Sequence, residues 1–152
     1  MQTHLHERSL RLGRFSAPGH SYLVTCAVKD RQPVFANFRM ARMVVNEMRH
    51  LHDSGVVHSL AWVVMPDHLH WLFELRSGSL ALLMQSLKGR SAFEINKAFG
   101  SRTLVWQKGF HDRGIRTEKD LVEIARYIIA NPMRAELVER EGEYSLWDSI
   151  WT

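Results

Sequence analysis

The stretch VVHSLAWVVMPDHLHWLFEL, residues 56–75, decides the fold. Val56 to Met65 is rich in β-branched residues, Pro66-Asp67 makes a tight connection, and His68 to Leu75 is a second extended run. The segment therefore reads as a β-hairpin. Along its second strand, Leu69, Trp71, Phe73 and Leu75 take one face, and His68, His70, Leu72 and Glu74 take the other. The strand should bury its apolar face and present the His68, His70, Leu72, Glu74 row outward.

Working outward, Tyr22 to Val28 is β-branched and aromatic and predicts a strand, preceded by a turn at Ser16-Ala17-Pro18-Gly19. Asn37 is a suitable cap for a helix whose apolar residues Phe38, Ala41, Val44, Val45, Met48 and Leu51 recur at helical spacing. Ser54-Gly55 stops it. After the hairpin, Ser79 to Phe99 predicts a second helix, and Leu104 to Phe110 a fourth strand. Thr117-Glu118-Lys119-Asp120 resembles a capping box that opens a third helix to about Ala130. Pro132 should end or kink it, with a short helix from Pro132 to Glu139 and an aromatic tail at Tyr144, Trp147 and Trp151.

The order β-α-β-β-α-β with a C-terminal helix is the split-βαβ, ferredoxin-like pattern of an α+β fold. It implies an antiparallel sheet with helices on one face and a bare face open to a ligand. The 152 residues suit a single domain, 1–152, with a basic arm over 1–18 and a tail over 140–152. A hydrophobic fraction of 45% and a charged fraction of 24% exclude disordered and fibrous classes. With one cysteine, no apolar run long enough to span a bilayer and no apolar leader, the expectation is a soluble cytoplasmic protein without membrane partners. The net charge is +4, the pI is near 9.6, and 15 of the 20 cations are Arg. Arginine's planar fork binds phosphate bidentately, so the balance fits a nucleic-acid binder.

No phosphate loop, GxGxxG, paired CxxC or HExxH is present, which leaves the nine histidines. His-Leu-His occurs at 4–6, 50–52 and 68–70, and predicted geometry separates the copies. His50 and His52 fall near a helix end, where residues two apart point about 200° away from each other. His4 and His6 lie in the arm, with nothing to preorganise them. His68 and His70 share one face of a strand, and two adjacent imidazoles can jointly hold a divalent ion. Against this stands a surface strand that merely carries polar residues.

On the third helix, Leu121, Ile124, Ala125, Ile128 and Ile129 form one apolar stripe. Tyr127 lies roughly 130° from its centre, flanked at i−4 and i+4 by Glu123 and Asn131. A tyrosine so placed, opposite two histidines, suggests nucleophilic catalysis with metal assistance. The plainer alternatives are a surface tyrosine with a hydrogen-bonded hydroxyl and, for Asn131, an N-cap before Pro132 at the first position of the next helix.

These residues resemble a family. Met65-Pro66-Asp67-His68-Leu69-His70-Trp71 is similar to the HUH signature of single-tyrosine transposases. Trp106-Gln107-Lys108-Gly109-Phe110-His111-Asp112 and the run Tyr127 to Ala135 are similar to its two other blocks. More narrowly, Gly13-Arg14, the strand from Gly19 to Thr25 and Trp147-Asp148 resemble REP-associated tyrosine transposases. The resemblance implies a ferredoxin-like core and a single-strand DNA endonuclease and strand transferase that acts on hairpins of palindromic repeats. It places His68 and His70 as ligands of Mg²⁺ or Mn²⁺ and Tyr127 as the nucleophile that forms a 5′-phosphotyrosine. Asn131 falls where relatives carry a further polar ligand, with Glu123, Asp112 and His111 as outside candidates for that role. A monomer is favoured, a dimer being the alternative.

DNA contacts are expected from Arg8, Arg11 and Arg14 in the arm, reaching along a stem or into a groove. Lys88, Arg90, Arg113, Arg116, Arg126 and Arg134 are expected at phosphates, where they position the strand without reading it. Trp147 and Trp151 either stack on unpaired bases or pack the tail onto the core. Two rival classes remain: a non-catalytic nucleic-acid-binding module on the same fold, and a metal-dependent hydrolase with no covalent step. The first and third strands lack a pair of outward aromatics for base stacking, which counts against the binding module.

Overall fold

The computed structural model of the chain describes residues 16–139 and 143–151. Arg8, Arg11 and Arg14 lie outside the described residues, as do most of the expected basic arm and part of the tail.

The elements run β1 (Ser21–Ala27), α1 (Phe38–Asp53), β2 (Val57–Met65), β3 (His68–Leu75), α2 (Leu80–Phe99), β4 (His111–Ile115), α3 (Glu118–Arg134) and β5 (Trp147–Ser149). The strands form one antiparallel sheet in the order β4-β1-β3-β2-β5, which is the split-βαβ arrangement with β5 added at one edge. Local chemistry starts each helix. The side chains of Asn37, Ser79 and Thr117 accept from the backbone N–H groups of Met40, Leu82 and Asp120 at 3.2, 3.2 and 3.1 Å. Helix α2 ends at Gly100, whose φ of 62° is the left-handed conformation a helix terminus favours in glycine. No described helix is long and apolar enough to cross a membrane.

The two faces of the sheet carry different helices. Val24, Cys26, Val28, Leu69, Trp71 and Phe73 pack beneath α1 and α2, against Ala41, Val44, Met48, Leu83, Met84 and Leu87. Helix α3 covers part of the opposite face, where Ala61, Val63, Met65 and Leu72 meet Ile124, Ala125 and Ile128. A bulge at Leu60 makes this second layer possible. Ser59 pairs with Phe73 but Ala61 pairs with Leu72, so the extra residue swaps the faces of β2 and turns Ala61, Val63 and Met65 toward α3.

Several expectations require correction. Leu72 is fully buried rather than outward, because α3 folds back over its end of the supposedly bare face. The fourth strand is His111–Ile115, not Leu104 to Phe110. The earlier run makes a single bridge, Val28 to Trp106, and otherwise plugs the end of the main core. There Trp106 packs on Phe35 at 5.2 Å and donates through Nε1 to the Ser91 hydroxyl at 3.0 Å. Gly109, at φ 82°, then turns the chain into the polar edge strand. Pro132 starts no new helix. It lies in the last turn of α3, which continues to Arg134, and the expected helix to Glu139 does not form. Asn131 is accordingly a helix residue, not an N-cap. Phe38, expected in the core, is 56% exposed. Trp147 and Trp151 pack against the α3-side core, which favours the structural reading of the tail.

Candidate active site

Strand β3 presents His68 and His70 on the α3 side of the sheet, with ring centroids 4.8 Å apart and planes at 83°. Each ring is held from behind through Nδ1. His68 meets Asp67 Oδ1 at 2.7 Å, and His70 meets Thr25 Oγ1 at 2.8 Å, Thr25 being its cross-strand partner on β1. A carboxylate only accepts, so His68 carries its proton on Nδ1 and leaves Nε2 with a free lone pair. Neither Nε2 has a hydrogen bond to the described residues. That is the arrangement of a metal-ligating histidine, whose other ring nitrogen is oriented by an outer partner. Burial, then the charges of His68, Arg134 and Arg31, push His70 down to about 4, so its imidazole is neutral and ligand-competent at pH 7.

Helix α3 supplies the other parts. Tyr127 is 55% exposed on a helix whose Ile128 is fully buried against the sheet, so its phenol stands at the rim of this layer. Arg134 lies over the Tyr127 ring, with its guanidinium carbon 3.8 Å from the centroid, and donates from Nη2 to the Tyr127 carbonyl at 2.9 Å. The same guanidinium acts electrostatically on His70. Asn131, one turn beyond Tyr127, has a buried Nδ2 with no hydrogen-bond partner among the described residues. Two imidazoles whose Nε2 atoms are unengaged by the described residues, on the sheet face that α3 shares, fit a divalent cation. Among the described residues no three His, Cys, Asp or Glu side chains gather to hold a metal ion.

The expected phosphate contacts separate by place. Arg113 is exposed on the histidine face of the sheet, opposite Leu23 on β1, and Arg116 and Arg126 are exposed nearby in the chain. Lys88 and Arg90 belong to α2, which packs on the other face. Lys88 donates to the carbonyls of Gln107 (2.9 Å) and Gly109, and Arg90 pairs with the buried Glu47 at 2.9 Å. Thr25 and Asp67 are residues that sequence reasoning missed. Asp67 was visible as the neighbour of His68, but Thr25 enters only through a pairing 45 residues away.

Residues 16–131 match the family model described as transposase, IS200-like. The REP-associated tyrosine transposase of Escherichia coli K12 is 23% identical over 133 residues, covering 86% of this chain and 77% of that one. A Haemophilus influenzae protein provisionally given the same name is 26% identical over 136 residues, covering 80% and 74%. Among solved structures, a REP-associated tyrosine transposase bound to a REP hairpin superposes with a TM-score of 0.74 at 21% identity, over 88% of this chain and 79% of that one. The chain belongs to the family of IS200-like transposases.

Proposed function

We propose that the protein is a divalent-metal-dependent endonuclease and strand transferase for single-stranded DNA, acting at hairpins of palindromic repeats through a phosphotyrosine at Tyr127. The observation that carries this reading is the pair His68 and His70, each braced at Nδ1 and open at Nε2, on the sheet face that α3 shares. His68 Nε2, His70 Nε2 and the Asn131 amide oxygen would hold the ion. When bound, Mg²⁺ or Mn²⁺ supplies a positive charge for the non-bridging oxygens of the scissile phosphodiester.

The protein residues do the rest. The Tyr127 hydroxyl gives its proton to solvent and its oxygen attacks phosphorus. The bond from phosphorus to the 3′-oxygen breaks, and the released 3′-hydroxyl takes up a proton. What forms is a 5′-phosphotyrosine that keeps the energy of the broken ester. Attack by a 3′-hydroxyl on the same phosphorus reverses the step, so joining needs no nucleotide cofactor, in keeping with the missing phosphate loop. Arg134 holds the phenol ring in place, and Arg113, Arg116 and Arg126 offer cations for the strand. The repeat hairpin as substrate is supported by the solved relative that holds one. We read the working unit as a monomer.

Hairpin-bearing single-stranded DNA incubated with Mn²⁺ should yield a denaturation-stable protein–DNA adduct. Tyr127→Phe should abolish adduct and cleavage while DNA binding stays within about tenfold. Cleavage without an adduct would indicate a hydrolase, and neither product would indicate a binding module.

A further inference from the structure

The turn after β1 holds a cation that the mechanism has not used. Asp30 and Arg31 both adopt the left-handed conformation, at φ 56° and 52°, although neither is glycine. Two successive residues of this kind persist only where their surroundings over-determine them, and such strain gathers at functional sites. The turn is pinned on three sides. Val28 N–H donates to the Asp67 carbonyl at 2.9 Å, Lys29 N–H to the Val105 carbonyl at 2.9 Å, and Arg31 N–H to the Val28 carbonyl at 2.9 Å.

The conformation delivers the Arg31 guanidinium to Asp67, where Nε meets Oδ2 at 3.0 Å while Oδ1 of the same carboxylate holds His68. Only Nε is engaged. The terminal nitrogens make no hydrogen bond to the described residues, and the side chain is 58% exposed. A guanidinium has two usable edges, and here one grips a carboxylate while the other is presented to solvent beside the histidine pair. Its charge is felt as far as His70. Arg134 stands on the Tyr127 side of the same pair.

We propose that Arg31 is a phosphate-contacting residue of the cleavage site, gripping a non-bridging oxygen of the DNA strand with its free edge while Asp67 fixes its other edge. This inference rests on the functional reading above. An exposed guanidinium whose orientation is already set gives up little side-chain freedom on binding, and Arg clamps of this type stabilise charge at a transferring phosphoryl group.

The test pairs protein and DNA changes. Phosphates around the cleavage position are replaced one at a time by uncharged methylphosphonates, and the rate of adduct formation is measured for the wild type, Arg31→Ala and Arg31→Lys. One position should exist where neutralisation slows the wild type about tenfold or more but changes Arg31→Ala less than twofold, with Arg31→Lys between them. Mn²⁺ affinity of Arg31→Ala, measured by electron paramagnetic resonance without DNA, should stay within about threefold of wild type. If every methylphosphonate slows wild type and Arg31→Ala by the same factor, or if Arg31→Ala loses Mn²⁺ affinity as Asp67→Ala does, Arg31 only props Asp67 and the proposal is wrong. A wild-type protein that forms no adduct with unmodified hairpin DNA overturns the functional reading and takes this proposal with it.

Discussion

The protein holds two histidine pairs of similar shape and opposite chemistry. His68 and His70 meet edge to face at 4.8 Å, and His52 and His58 meet edge to face at 5.5 Å. The difference lies behind the rings. In the first pair Nδ1 faces the Asp67 carboxylate, which only accepts a hydrogen bond, and the Thr25 hydroxyl, which is able to accept one. In the second pair His52 Nδ1 accepts from the Ser59 backbone N–H at 3.0 Å, and His58 Nδ1 lies 3.1 Å from the Arg76 guanidinium, which can only donate. Both rings of the second pair must therefore carry their proton on Nε2, outward, and offer no lone pair to a cation. Proximity of two imidazoles does not make a metal site; the donor or acceptor at the far nitrogen decides.

The largest expected effect follows directly. His68→Ala or His70→Ala should lower Mn²⁺-dependent adduct formation by about 10²–10³-fold, the range for losing a principal electrostatic stabiliser. His52→Ala and His58→Ala should stay within about twofold, since neither ring presents a ligand. Both sets should keep the wild-type far-ultraviolet circular dichroism. Equal losses from the two pairs would break the comparison. Next come the outer partners. Asp67→Ala should weaken Mn²⁺ binding about 10–100-fold, because His68 loses the acceptor that fixes its tautomer. Thr25→Val should fall at or below the lower end of that range. A hydroxyl is a weaker acceptor than a carboxylate, and the β1–β3 backbone pairing still holds the strand.

How much of this was legible in the sequence depends on how far apart the deciding residues lie. The bounds of β3 and the caps at Asn37 and Thr117 follow from rules that span at most a few residues, and all agree with the structure. Burial of Leu72 depends on α3 returning over β3, more than 40 residues later in the chain. Its apolar character between His70 and Glu74 was still a readable sign that part of the face is covered. The Leu60 bulge left no mark of its own, since Leu60 and Ala61 are both apolar and either parity looks acceptable. Residues 104–110 have strand-like composition because Val105 and Trp106, the two buried there, are the kind of apolar side chain that a strand also asks for. At the proposed site, His68, His70, Tyr127 and Asn131 were singled out by spacing and resemblance. The rings' outer partners were not, because Thr25 faces His70 only once β1 and β3 pair.

A separate expected effect concerns stability without metal, and its sign can be worked out. Burial holds the His70 imidazole down at about 4 in the folded protein, against an ordinary value of 6.5. Between these values the unfolded chain takes up a proton that the folded chain refuses. His70 therefore leaves stability unaffected above about pH 6.5, erodes it as the pH falls toward 4, and adds no further loss below. A difference of this size corresponds to a loss on the order of 3 kcal/mol. In urea unfolding with a chelator present, wild type minus His70→Gln isolates this contribution from the carboxylates that titrate in the same window. The difference should tilt against the wild type as the pH drops from 6.5 to 4. A flat difference would mean that His70 accepts a proton in the folded state as readily as in water.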